Sequence, residues 1–68
     1  MIKLKSTNLK AVEYNKIQKT LIVKFKSGLS YIYFDVPNEI YTNLLNAESK
    51  GKYFHTHIKG VYGYSKIG

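Results

Sequence analysis

The sequence predicts a small α+β fold: a three-stranded antiparallel meander over residues 9–14, 20–26 and 29–36, then a helix over 37–47 and a short second helix over 50–58. Three observations predict it. Apolar and polar residues alternate through the first half, and the period becomes helical after Pro37. A turn signal, Ser27-Gly28, divides the alternating stretch. Ten aromatic residues among 68, with a hydrophobic content of 44%, give enough bulk for one minimal core and no second one, so residues 1–68 read as a single domain.

The elements follow in chain order. Ser6 and Asn8 have short polar side chains suited to holding a turn at the start of the first strand, Leu9 to Tyr14. Asn15-Lys16-Ile17-Gln18 is its turn into the next strand, with turns of four and five residues fitting equally well. From Thr20 to Lys26, Leu21, Val23 and Phe25 alternate with Thr20, Ile22, Lys24 and Lys26, the pattern of a strand with one buried face. A two-residue loop at Ser27-Gly28 pairs Lys26 with Leu29, Lys24 with Tyr31, Ile22 with Tyr33 and Leu21 with Phe34. That register gathers Leu21, Val23, Ile32 and Phe34 on one face and Ile22, Lys24, Lys26, Tyr31 and Tyr33 on the other.

Pro37 suits a first helical turn, where its missing N–H is not needed, and Glu39 sits near the positive end of the helix dipole. Ile40, Tyr41, Leu44, Leu45 and Ala47 then form one apolar stripe. Ser49 is an N-cap for the second helix, which carries Tyr53, Phe54, His57 and Ile58 on its packed side and ends at Gly60. His55 is expected in solvent. For Val61 to Tyr64 the pattern allows an edge strand or a tail.

Composition narrows the function classes. Eleven lysines, no arginine and four acids (Glu13, Asp35, Glu39, Glu48) leave a net charge of +7, which favours a polyanionic or acidic partner. With no cysteine, disulfides and thiolate zinc sites are excluded. His55 and His57 diverge on a helix, and with no cysteine and few acids little is available to complete a metal shell. No cofactor is expected. The scattered carboxylates offer no acid–base pair, no nucleophile has a base beside it, and no glycine-rich phosphate loop is present, so the chain does not read as an enzyme. The apolar runs are too short for a membrane span, and the start Met1-Ile2-Lys3-Leu4-Lys5 lacks the apolar stretch of a signal peptide, so a cytoplasmic protein is expected.

Ser6-x-Asn8-Leu9, Tyr14, Leu21-x-Val23-x-Phe25, Gly28, Tyr31-x-Tyr33, Val36-Pro37, Tyr41, Leu44, Ala47, Ser49-x-Gly51-x-Tyr53-Phe54 and Ile58 together resemble the KTSC domain family. That family takes its name from the C-terminal extension of some lysyl-tRNA synthetases and also occurs as single-domain bacterial and phage proteins. The resemblance spans about Ser6 to Tyr62 and implies an RNA partner through the synthetase association. Where family members often carry arginine, this chain has Lys59, a point charge without arginine's planar fork.

The candidate binding residues are Lys24, Lys26, Tyr31, Tyr33, Lys50, Lys52 and Lys59. On one reading Tyr31 and Tyr33 stack bases while Lys24 and Lys26 follow the phosphates, with Lys50 and Lys52 at a helix start and Lys59 adding backbone contacts. On the other, both tyrosines pack beneath the C-terminal segment. The partner is nucleic acid, RNA before DNA, or else an acidic host protein on which a phage or bacterial adaptor docks. An open sheet edge also offers pairing with a second copy.

Overall fold

The computed structural model describes residues 1–68. Five strands, β1 (Ile2–Lys3), β2 (Leu9–Asn15), β3 (Thr20–Phe25), β4 (Ser30–Tyr33) and β5 (Tyr64–Lys66), form one antiparallel sheet in the order β1-β2-β3-β4-β5. Helices α1 (Asn38–Asn46) and α2 (Lys50–His57) are inserted between β4 and β5. The α+β class and the two helices match the sequence reading, but the sheet has five strands, not three. The two missed strands are two and three residues long and exposed throughout, too short to display a period. Their pairing with β2 and β4 makes them strands. Of the segment Val61 to Tyr64, only Tyr64 lies in this edge strand, and residues 61–63 form the turn that leads into it.

The β3–β4 register differs from the expected one by a single residue. Leu21 pairs with Tyr33, Ile22 with Ile32, Val23 with Tyr31 and Lys24 with Ser30. The loop has three residues, Lys26-Ser27-Gly28. The Phe25 N–H donates to Leu29 O at 2.8 Å, and the Gly28 N–H donates to Phe25 O at 3.0 Å. The cause is backbone sterics. A two-residue loop of the favoured kind built on Ser27-Gly28 would need a positive φ at Ser27, whereas the three-residue loop needs one only at its third position, where Gly28 has φ +99°. The shift carries every β4 side chain to the opposite face from the one expected.

One face of the sheet is thus Leu9, Val12, Leu21, Val23 and Tyr33, which close a core with Val36, Leu44, Phe54 and Ile58. Phe25 and Tyr31 pack against its margin. The other face has no helix over it. Glu13, Ile22, Ile32 and Ser65 run across it in one row, and Lys3, Ala11, Lys24 and Ser30 in the next.

Local side chains fix the turns. Ser6 Oγ accepts from the N–H groups of Asn8 and Leu9 at 3.3 and 3.2 Å, the role expected of it. Asn15 Oδ1 accepts from the N–H groups of Ile17 and Gln18, each at 3.0 Å. The last strand of the predicted meander stops at Tyr33 and not at 36, because Asp35 turns the chain out of the sheet with φ +58°. Val36 is then held by both its backbone groups. Its N–H donates to Lys19 O at 2.8 Å, and its carbonyl accepts from the Tyr14 hydroxyl at 2.6 Å. Helix α1 begins directly after it, with Pro37 as its extended N-cap residue and not inside the first turn. The Tyr14 ring stacks on Tyr41 of α1 with centroids 4.7 Å apart. Helix α2 starts where the sequence places it: Ser49 Oγ accepts from the Lys52 N–H at 3.3 Å.

Tyr14→Phe keeps the ring and removes the hydroxyl, leaving the Val36 carbonyl without its partner. The expected cost is about 1–3 kcal/mol, read as a lower urea midpoint at an unchanged m value. An unchanged midpoint would show that water replaces the bond at no cost.

Candidate functional site

Helix α2 faces the sheet through Phe54, whose ring meets Phe25 of β3 and Tyr33 of β4. Between them lies a cleft of about 850 Å³. Phe25, Tyr31, Tyr33 and Tyr64 line it from the sheet, and Lys52, Phe54, His55, Thr56 and Lys59 from α2 and the turn after it. No aspartate or glutamate lines it.

The aromatic floor is a linked set. Phe25 meets Tyr31 edge to face at 5.8 Å and Phe54 at 5.5 Å, and Phe54 meets Tyr33 at 5.5 Å. Tyr64 stands edge to face on Tyr31 and tilted over Tyr33, both at 5.7 Å. Rings held in this way by their neighbours present a stiff surface. Exposure grades across the set. Tyr33 is 4% exposed and belongs to the core, Tyr31 is half-buried, and Tyr64 is 61% exposed. Burial pushes the Tyr33 phenol above its ordinary value, and the neighbouring Tyr31 and Tyr64 oxygens push it further in the same direction.

The expected sheet-face cluster does not form. Tyr31 and Tyr33 lie on the core face, while Lys24 pairs with Ser30 and lies on the other face. The single-residue shift of register is the reason. Lys26 is exposed in the β3–β4 loop, where its N–H donates to Asn8 O at 2.9 Å. Lys50 is turned back, its Nζ donating to Ala47 O at 3.0 Å across the corner between the helices. Of the seven candidates, Tyr31, Tyr33, Lys52 and Lys59 come together in the cleft, and Lys24, Lys26 and Lys50 do not.

Five contributors were missed by the sequence reading: Phe25, Phe54, His55, Thr56 and Tyr64. One signal for them was present. Lys52 and His55, three residues apart, share one stripe of the expected helix, and Lys59 follows just after its end. His55 is exposed, as expected. His57 is exposed as well, not packed with Phe54; its ring rests on Tyr53 at 4.4 Å. The Ser49-capped first turn of α2 lies close to the start of β2, where a Cβ on Gly51 would stand 3.5 Å from Ser6 Oγ. A side chain larger than methyl there would wedge the cleft's inner end.

Residues 5–62 match the KTSC domain family. Over 67 residues the chain is 40% identical to a lysine–tRNA ligase of Nostoc sp. (strain PCC 7120), covering 98% of this chain and 12% of that protein. It therefore spans about one-eighth of the length of such relatives. A protein of Stutzerimonas stutzeri is 39% identical over 54 residues, covering 79% of this chain and 76% of that one. The crystal structure of a KTSC domain protein from Yersinia pestis superimposes with a TM-score of 0.94 at 30% identity, covering 97% of this chain and 93% of the other.

Burial holds the phenols of Tyr14, Tyr33 and Tyr41 above the ordinary value of 10.0. A folded value above the unfolded one contributes stability that is fully present below about pH 10 and is lost as pH rises through the folded values. Alkaline titration followed by phenolate absorbance and circular dichroism is expected to show some tyrosines ionising late, together with loss of structure. Simultaneous, unshifted ionisation of all the tyrosines with the fold intact would refute this.

Proposed function

The chain belongs to the KTSC domain family, and on that premise we propose that it is a non-enzymatic binding module that holds single-stranded RNA in the cleft between α2 and the β4–β5 end of the sheet. The observation that carries the reading is a cleft with an aromatic floor, Lys52 and Lys59 on its wall, and no carboxylate in its lining. Each part meets one requirement of a nucleic-acid strand. Bases have π faces that stack on aromatic rings, worth roughly 1–3 kcal/mol per base. Phosphates need cations, and an acid in the lining would repel them. A cavity of about 850 Å³ falls within the usual range for a bound small ligand, which suits a short stretch of strand and not a duplex. The relatives named lysine–tRNA ligase carry an RNA in that name. Within the cleft Tyr31 and Tyr64 are the stacking rings, and Tyr33, buried beneath them, supports both.

A second reading is docking on an acidic protein, and the uncovered face of the sheet favours it. Ile22 and Ile32 are half-exposed in the middle of that face, Lys3 and Lys24 lie in the adjoining row, and Phe34 is 41% exposed. The two readings use opposite faces and separate cleanly.

Fluorescence anisotropy with a mixed-sequence single-stranded RNA at two salt concentrations tests the first. Replacing Lys52 and Lys59 together by alanine removes two phosphate contacts, so the slope of log affinity against log salt is expected to become shallower by about 1.4. Tyr64→Ala is expected to weaken binding about tenfold, within the range for one stacked base. Lys24→Ala, on the other face, is expected to leave binding unchanged. A larger loss from Lys24→Ala than from the cleft variants, or no salt dependence, would overturn the assignment.

A further inference from the structure

Resting on the RNA reading of the cleft, we infer that Lys52, His55 and Lys59 form a three-point phosphate ladder along α2 and the turn after it, with His55 as the middle rung, so that affinity for a single strand rises as pH falls. Lys52 and His55, three residues apart, share one stripe of α2, Lys59 follows in the turn after the helix, and all three line the cleft. Lys52 and His55 are separated by about 4.5 Å along the axis at the helical rise of about 1.5 Å per residue, and Lys59 lies beyond the last turn. A strand that contacts both lysines passes His55, which lies between them in the chain.

A neutral imidazole offers a phosphate one N–H; a protonated one offers two donors and a full charge. Histidine gains its proton in the range between about pH 8 and 5. The charged and titratable groups that share the cleft with His55 are lysines and phenols. On its own side are Lys52 and Lys59; across the cleft the titratable groups are Tyr31, Tyr33 and Tyr64. No acid lines the cleft. Glu48 lies in an adjoining shallow depression that shares Lys52 and Thr56 with the cleft, Glu13 lies on the far face of the sheet, and Asp35 and Glu39 flank the start of α1. A bound strand thus supplies the negative charge that favours the protonated ring, and binding takes up a proton.

His57 provides an internal control, since it is exposed too but lies tilted against Tyr53 outside the cleft. Both variants, His55→Gln and His57→Gln, alter exposed side chains and leave the core untouched. Anisotropy titrations with one single-stranded RNA at about pH 7.5 and about pH 5.5 are expected to show wild-type affinity rising roughly three- to tenfold at the lower pH. The salt slope should steepen by about 0.7, one further phosphate contact on a single strand. His57→Gln keeps the response and His55→Gln loses it. RNA binding with a pH response that survives His55→Gln, or that disappears in His57→Gln, overturns the ladder and leaves the RNA reading standing. Absence of RNA binding at both pH values overturns the RNA reading itself, and the ladder with it.

Discussion

The arrangement of this domain depends on how the chain leaves the sheet at Val36. A residue between a strand and a helix has no ladder or helical partner for its backbone, and Val36 is fully buried, where an unpaired amide would cost most. Lys19, in the β2–β3 turn, takes its N–H, and Tyr14, on β2, takes its carbonyl. Both partners come from earlier in the chain. The first hairpin is therefore the mould against which α1 starts, and the Tyr14 ring then stacks on Tyr41 one turn into that helix. With α1 placed, the short corner at Ala47–Ser49 leaves α2 little choice of position.

From that placement the cleft follows as unused area. A helix of eight residues is about 12 Å long, and it cannot cover five strands. The core closes over β2, β3 and Tyr33 of β4, through Leu44, Phe54 and Ile58, and Tyr31 and Tyr64 are left with one side against neighbouring rings and the other toward solvent. The domain compensates by packing those rings against one another. The same lack of material that limits the core of a 68-residue chain leaves an aromatic surface open on it.

The charge of the chain acquires a location in the same way. Eleven lysines spread over the sequence give a general attraction for anions, but three of those singled out from the sequence have other settings. Lys24 is across the sheet, Lys26 is in a loop and Lys50 bonds the corner carbonyl of Ala47. Lys52 and Lys59 share a wall with His55, and no acid stands opposite them. Steering belongs to the whole set; a defined contact needs cations that converge, and only the cleft gathers them.

The sequence by itself determined the α+β class, the helix that follows Pro37, the Ser49 cap and the apolar stripe of α1, because each of these rests on periodicity or on a side chain bonding its own neighbours. It also contained the Lys52–His55 spacing, legible once α2 is taken as a helix, whereas Lys59 lies in the turn after it. The outer strands β1 and β5 were beyond it, since segments of two and three residues exist as strands only through the partners they pair with. The face on which Tyr31 and Tyr33 lie was decided by one residue of loop length, and that choice was made by where the backbone could accept a positive φ. A period of two states that alternate residues share a face; it does not state which face meets the helices. Only the folded chain, with Gly28 turning the hairpin and Val36 fixing the entry to α1, put the tyrosines beside Lys52 and Lys59 and sent Lys24 to the other side.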